Sequence, residues 1–344
     1  MPYYDGTKLL SLMDKNGKKP EIYICTTNRS AGKTTFFSRY FVKRFMEYGE
    51  KFVLLYRFSY ELDDVATKFF KDIETLFFNG HTMSSVKKAK GIYHELYFDK
   101  KPCGYAFALN QADSIKKLSH LFSDSCRIMI DEFQSETNRY CDNEVAKLQS
   151  IHTSIARGQG KQSRYVPVFL IGNPVSLINP YYVSLGISNI LTKNVKFLRG
   201  DGFVLEQGFN ESAMNAQNES AFNRAFSDNS SYNAYLKEGV YLNDNLSFIE
   251  KPEGRSEYVA TIKCNGSNYA IRRYAEQGIM YCDDSVDSSF PLKISVTTED
   301  HEVNYVMLRY NQGIVLTLRY LFSRGCFRFK NLQCKEAVLK LVSY

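Results

Sequence analysis

The feature that most constrains this chain is a short apolar strand running straight into a loop that ends Gly-Lys-Thr. Ile22 to Thr26 is the strand, Thr27-Asn28-Arg29-Ser30-Ala31-Gly32-Lys33-Thr34 the loop, and Thr34 to about Tyr48 a helical stretch. This is the setting of a P-loop, in which main-chain N–H groups at a helix N-terminus face phosphate oxygens. Lys33 then reaches the β- and γ-phosphates of ATP, Thr34 offers its hydroxyl to Mg2+, and Gly32 lets the main chain approach closely. Two positions depart from the usual pattern. Thr27 stands where glycine is normal, and Arg29 lies inside the loop, suited to a γ-phosphate or neighbouring-subunit contact or simply to solvent. Gly-Lys-Thr alone is a weak signal; the strand before it and an acidic strand later in the chain favour the phosphate-binding reading.

That acidic strand is Arg127-Ile128-Met129-Ile130-Asp131-Glu132. Carboxylates at the C-terminal end of a parallel strand face a bound ligand. Asp131 is expected to hold the Mg2+ shell, and Glu132 to orient and deprotonate the attacking water. A water-activating carboxylate beside the metal ligand favours hydrolysis over phosphoryl transfer to a small molecule. A further strand, Val168 to Ile171, ends in Gly172-Asn173-Pro174. The Asn173 amide is placed to sense the γ-phosphate, although Gly-Asn-Pro equally marks a turn. Arg157 closes the preceding helix, where spacing alone suits it either as a C-terminal cap or as an arginine finger to the next subunit's ATP.

Apolar strands alternate with helices through the first part of the chain, which predicts a parallel sheet covered on both faces. Phe52 to Tyr56 is a buried strand, and Glu61 to Phe77 has helical spacing through Leu62, Val65, Phe69, Ile73 and Leu76. Ile92 to Phe98 and Tyr105 to Leu109 read as a small hairpin insertion. Asn143 to Ala156 reads as a helix, and Val166 to Ile171 as a strand. The rhythm changes after about Phe197. Gly208 to Leu246 is rich in Asn and Ser, with one helical patch at Ser220 to Phe226. From Phe248 onward, Tyr258 to Cys264 and Asn268 to Tyr274 flank Asn265-Gly266, a tight-hairpin signal. Strands at Ile279 to Cys282 and Leu292 to Val296 follow, then helices near Asp300 to Ser323 and Leu332 to Val342. The expected division is 1–196, 197–246 as a linker subdomain, and 247–344.

Composition narrows the class. The chain of 344 residues, 44% hydrophobic and 24% charged, is long enough for two cored domains. Lys plus Arg (44) exceeds Asp plus Glu (37), a net +7 that permits a polyanionic partner without demonstrating one. The 25 Tyr and 25 Phe are read first as core material rather than as base-stacking platforms. The eight cysteines form no CxxC pair and have no zinc-like His spacing, so they are expected to be reduced thiols. The polar start, Met1 to Pro20, is unlike a signal peptide, and no apolar run is long enough to cross a bilayer. A membrane partner is not expected.

Taken together, these residues resemble the genome-packaging ATPases of phi29-like tailed phages, a branch of the additional-strand P-loop ATPases. The similarity is carried by Asn28 to Thr34, Lys51 to Leu62, Ile130 to Phe133, Asn143-Glu144-Val145, Gly172 to Tyr182, Phe248 to Lys251 and Gln277 to Tyr281. It spans nearly the whole chain in matching order. The resemblance implies a RecA-like ATPase domain, a linker subdomain and a C-terminal domain of RNase H-like, nuclease-derived fold. It implies ATP and Mg2+, double-stranded DNA, a homopentameric ring, the procapsid portal and, as in some relatives, a packaging RNA. It places the protein in the cytoplasm of the infected bacterial host, transiently at the portal vertex. By position it assigns Lys33 and Thr34 to the P-loop, Asp131 to the metal, Glu132 to catalysis and Arg157 to a trans-acting finger. Lys116, with Lys117 beside it, falls near a lid lysine implicated in nucleotide exchange. Arg57 falls in a segment directed to the pore.

Two other readings remain open on sequence. A large-terminase type would keep DNA cutting, with carboxylates drawn from Asp283, Asp284, Asp287, Glu299 and Asp300, although this branch is thought to have lost it. An ATP-regulated scaffold would bind nucleic acid without moving it. Arg272, Arg273, Arg319, Arg324, Arg328 and Lys330 are candidates for nucleic-acid or portal contact, or for ordinary surface charge.

Overall fold

The computed structural model describes residues 3–62, 73–137, 139–157, 160, 162–177, 179–188, 190–191, 195–221, 225, 248–307 and 312–343. In chain order its main elements are α1 (Thr7–Ser11), β1 (Ile22–Thr26), α2 (Lys33–Tyr48), β2 (Lys51–Tyr56), β3 (Met83–Lys88), β4 (Tyr93–Phe98), β5 (Lys101–Ala108), α3 (Ala112–Lys117), β6 (Ser125–Asp131) and α4 (Glu144–Ala156). There follow β7 (Val168–Gly172), α5 (Pro180–Ser184), β8 (Phe197–Arg199), β9 (Phe203–Gln207), α6 (Glu211–Glu219), β10 (Glu257–Cys264), β11 (Ser267–Tyr274), β12 (Ile279–Asp283), β13 (Lys293–Ser295), β14 (Val306–Met307), α7 (Gln312–Ser323), β15 (Phe327–Phe329) and α8 (Leu332–Ser343).

The chain divides into two units, one of Met1–Ser135, Glu144–Pro174 and Lys193–Leu242, the other of Glu136–Asn143, Val175–Thr192 and Asn243–Tyr344. The first unit holds a nine-stranded sheet in the order β3-β4-β5-β2-β6-β7-β1-β9-β8. Its six middle strands, β5 to β9, are mutually parallel, with antiparallel strands added at both ends. Continuous apolar runs such as Phe52-Val53-Leu54-Leu55 and Val168-Phe169-Leu170-Ile171 suit strands covered on both faces, and these residues are buried. Because the strands are parallel, the ends of β1, β6 and β7 meet at one edge.

Helix α2 is fixed to that sheet by aromatic packing. Phe169 of β7 stacks on Tyr23 at 4.9 Å and meets Phe41 edge-on at 5.1 Å and Phe37 at 5.7 Å. Phe37 and Phe41, one turn apart, lie on the buried stripe of α2. The helix ends where Gly49 takes φ 68°, with its N–H on the Phe45 carbonyl.

Several sequence expectations change here. The hairpin expected from Ile92 to Phe98 and Tyr105 to Leu109 is present as the antiparallel pair β4–β5, but it is not an insertion, because β5 also pairs in parallel with β2 and belongs to the main sheet. Met83-Ser84-Ser85-Val86-Lys87-Lys88 is an additional edge strand, missed because it lacks an apolar face. The chain from 197 to 207 extends the first sheet, β9 pairing with β1 and β8 with β9. Most of the expected helix at Glu61 to Phe77 and of the patch at Ser220 to Phe226 lies outside the described residues, as does all of 226–247.

The second unit holds a six-stranded sheet, β14-β13-β10-β11-β12-β15. β10, β11 and β12 form an antiparallel meander; β13 runs parallel to β10 and β14 to β13. Apart from β15, this is the 3-2-1-4-5 order of an RNase H-like sheet. The Asn265-Gly266 turn is present, with φ 52° and 76°, the positive pair a two-residue hairpin demands. Asp300 steadies it by accepting both turn N–H groups, at 2.9 and 2.7 Å. The region from Asp300 enters the short strand β14 before α7 begins, so the first of the two expected helices starts later. All eight cysteines are unpaired thiols. Among the described residues no helix is long and apolar enough to cross a membrane.

Phe169 is the hub under the loop helix. Phe169→Ala is expected to lower the unfolding free energy by about 3–5 kcal/mol in a urea titration; a loss below about 1 kcal/mol would show that α2 is anchored elsewhere.

Candidate nucleotide site

The loop after β1 leaves the sheet with its first residue still in register, the Thr27 N–H on the Gly172 carbonyl at 3.3 Å. Thr27 keeps a negative φ, so glycine is not required at this position, and its methyl packs where a Cβ on Gly208 would meet it at 3.1 Å. The left-handed residues of the loop are Ser30 (φ 61°) and Gly32 (φ 93°). Gly32 is needed for space as well, since a Cβ there would lie 2.9 Å from the Tyr3 ring. Asn28, almost fully buried, exchanges two hydrogen bonds with the main chain of Asn210, at 3.0 and 2.9 Å. Asn210 also accepts from the Ala213 N–H at the start of α6. Tyr4 N–H donates to the Ala31 carbonyl at 2.8 Å, which ties the N-terminal segment to the loop. A cleft of about 910 Å3 opens beside Thr27, lined by Tyr3, Tyr4, Glu206, Phe209, Asn210 and Asn215 among others.

Lys33, Thr34, Asp131 and Asn173 come together at this edge. The Lys33 ammonium donates to Asn173 Oδ1 at 2.6 Å, and the Thr34 hydroxyl to Asp131 Oδ1 at 3.3 Å. Burial pushes the Lys33 amine down from its usual range, against the opposing pull of Asp131. Burial likewise raises the Asp131 carboxyl to about 6; Lys33 pulls it down and Glu132 pushes it up. For both groups desolvation outweighs their mutual attraction. The oxygens of Thr34 and Asp131 are hard donors of the kind Mg2+ takes. Glu132 follows at φ 55°, exposed, with its N–H on Asp131 Oδ1 at 3.0 Å.

Arg157 is placed apart from this cluster. Helix α4 begins at Glu144, which is paired with Arg57 beside the end of β6. It finishes near the beginning of the same strand, where Arg164 donates to both Ile155 O and Ser125 O. Thirteen residues of helix span about 20 Å. Arg157, exposed at the far end of α4, therefore lies at the opposite edge of the sheet from its own chain's loop. Lys116 is on α3, 3.5 Å from Asp113. Arg57, in the segment that the resemblance directs to the pore, has its side chain only 11% exposed. Its Nε meets both oxygens of the buried Glu144, and its Nη2 donates to Phe133 O at 2.9 Å.

In the second unit the carboxylates considered for DNA cutting have other partners. Asp283 pairs with Arg272 at 3.0 Å, Asp284 with Lys330, Asp287 caps Ser289, and Asp300 holds the hairpin turn. The central parallel pair places Thr261 opposite Lys293 and Lys263 opposite Ser295. Among the described residues no three of His, Cys, Asp and Glu gather as a two-metal centre requires. Of the basic candidates, Arg273, Arg319 and Arg328 are also ion-paired, with Glu257, Asp142 and Glu250, and Arg324 lies over the Tyr320 ring.

The unusual value at Asp131 gives a stability signature for the protein without nucleotide. A folded-state value above the unfolded one near 3.9 stabilises below that unfolded value, and this contribution is lost as pH rises through about 6. Asp131→Asn is expected to gain roughly 2–3 kcal/mol relative to the original chain between pH 4 and 7.5. Denaturant titrations across that range check it; a pH-independent difference would mean that the carboxyl is not enclosed.

Comparison with known proteins identifies relatives along nearly the whole chain. The DNA packaging protein of Bacillus phage phi29 is 27% identical over 317 residues, covering 91% of this chain and 90% of that protein. Two solved structures share the fold along nearly the whole chain. One is the bacteriophage Phi-29 viral genome packaging motor assembly (TM-score 0.56, 24% identity, 98% of this chain and 99% of that one). The other is the Phi-28 gp11 DNA packaging motor (TM-score 0.62, 16% identity, 98% of both). A family profile, Podovirus DNA encapsidation protein (Gp16), matches residues 3–343, and on that span the chain belongs to the Podovirus DNA encapsidation protein family.

Proposed function

We propose that this chain hydrolyses ATP as one subunit of a homopentameric ring that drives double-stranded viral DNA through the portal into a procapsid. The observation that carries the reading is the meeting of Lys33, Thr34, Asp131 and Asn173 at one edge of a parallel sheet. Family membership supports DNA packaging as the process served. Work would take place in the host cytoplasm, at the portal vertex during packaging. A packaging RNA is a further partner in some relatives, and among the described residues of the second unit none is singled out for it.

In this reading residues 27–34 surround the phosphates, with the base and sugar in the cleft beside Thr27. Thr34 and Asp131 would hold Mg2+, which when bound offsets phosphate charge. Lys33 supplies a positive charge in a dry setting, where it acts more strongly than in water. When phosphate takes the ammonium, the Lys33–Asn173 hydrogen bond is exchanged, and the Asn173 amide becomes available to the γ-phosphate side. Glu132 orients the attacking water and accepts its proton. Lys116 stands as the lid lysine only by its position in the chain. Arg157 lies too far from its own loop to act there, which favours a role at the ATP of a neighbouring subunit. Gripping DNA by its phosphates predicts weak dependence on sequence and strong dependence on salt.

Glu132→Gln is expected to keep Mg-ATP binding while hydrolysis falls about 100-fold or more. Subunits with Arg157→Ala, mixed with Glu132→Gln subunits, should regain part of the hydrolysis that neither has alone. Steady-state phosphate release measures both. Wild-type turnover by Glu132→Gln would remove the assigned base, and absence of any rescue would remove the trans finger.

A further inference from the structure

The carboxylate of Glu132 has no hydrogen-bonding partner among the described residues, so its direction is set by its main chain. That main chain is unusual. Glu132 is a non-glycine residue at φ 55°, a conformation that persists only where its surroundings hold it. On one side the Phe133 N–H returns to the sheet at the Ile171 carbonyl, 3.1 Å away. On the other side stands Arg57. Its Nη2 donates to the carbonyl of Phe133 at 2.9 Å and lies 3.3 Å from that of Glu132. The guanidinium is held in turn by Glu144, whose oxygens accept from Nε at 3.2 and 2.9 Å and whose side chain is 1% exposed. A planar fork can serve a carboxylate and a carbonyl together; an ammonium cannot do so with the same geometry.

We propose that Arg57 is a positioning residue for hydrolysis: it clamps the turn that aims Glu132, and through Glu144 it ties that aim to α4, the helix that ends just before Arg157. This rests on Glu132 being the residue that orients water. A shift of α4 at a subunit boundary would be felt at Glu132 through one buried ion pair, while the phosphate loop stays in place. Hydrolysis would then answer to the neighbour more than nucleotide affinity does.

The test uses the full chain with Mg-ATP. Arg57→Lys keeps the charge that Glu144 needs but loses the fork that reaches the Phe133 carbonyl. Its Mg-ATP dissociation constant is expected to stay within about 3-fold, while single-turnover hydrolysis falls about 10- to 100-fold. Arg57→Lys combined with Glu132→Gln should hydrolyse no more slowly than Glu132→Gln alone, because both changes disable one function. Glu144→Gln, which leaves Arg57 in place with a weaker hold, should show the same split in milder form. If Glu132→Gln is impaired and Arg57→Lys still hydrolyses at the wild-type rate, the clamp is refuted and the ATPase reading survives. Equal losses in affinity and rate, or additive losses in the double variant, also refute the clamp, since they would mark general damage to the site. If Glu132→Gln itself turns over normally, the functional reading falls first and the clamp with it.

Discussion

The whole site depends on a buried ammonium. Lys33 is enclosed at the start of α2, where desolvation works against its charge and only Asn173 and the neighbouring carboxylates compensate. Such an amine is stable in place only if the sheet brings those groups to it. Parallel pairing of β6 with β7 and of β7 with β1 does so, because it brings the ends of three separate strands to one edge. The Phe169 cluster fixes α2 against that edge and thereby sets the height of Lys33. Asp131 faces the same cost with opposite sign, and its raised value reflects the same enclosure. Two charges that burial disfavours are thus held near one another at this edge.

Around this centre the molecule connects the phosphate loop to distant parts of its own chain. Asn28 is joined to Asn210 at the entrance to α6, so the loop is bonded to the segment that leads onward from the first sheet. Arg57 joins the turn after β6 to α4. Arg157 is carried to the other edge of the sheet by α4, away from its own chain's phosphate loop. The second unit has kept an RNase H-like strand order without carboxylates grouped for metal chemistry among its described residues. Its acidic residues steady turns and pair with arginines.

Much of the first sheet could be read from sequence because its central strands, such as Ile128-Met129-Ile130, are continuous apolar runs. The hairpin at Asn265-Gly266 was legible for a similar reason, since few pairs tolerate two positive φ values. The misses have physical causes. The edge strand Met83–Lys88 has polar residues on both faces, so it leaves no period-two signal. β5 reads as a hairpin arm and is one, against β4, but its second pairing, parallel to β2, is a long-range fact. β8, β14 and β15 are three residues or fewer, below the length at which periodicity carries information. The pairs Asn28–Asn210 and Arg57–Glu144 link residues 182 and 87 positions apart, and no local pattern announces them.

The central claim is that a triphosphate lies across the edge formed by the ends of β1, β6 and β7. A crystal or cryo-EM structure with Mg2+ and a non-hydrolysable ATP analogue tests it most directly. The account predicts the β- and γ-phosphates against the main chain of residues 27–34, with the metal between Thr34 and Asp131 and Lys33 turned from Asn173 to the phosphates. Nucleotide bound elsewhere, or bound with Lys33 still paired to Asn173 and no metal near Asp131, would contradict it.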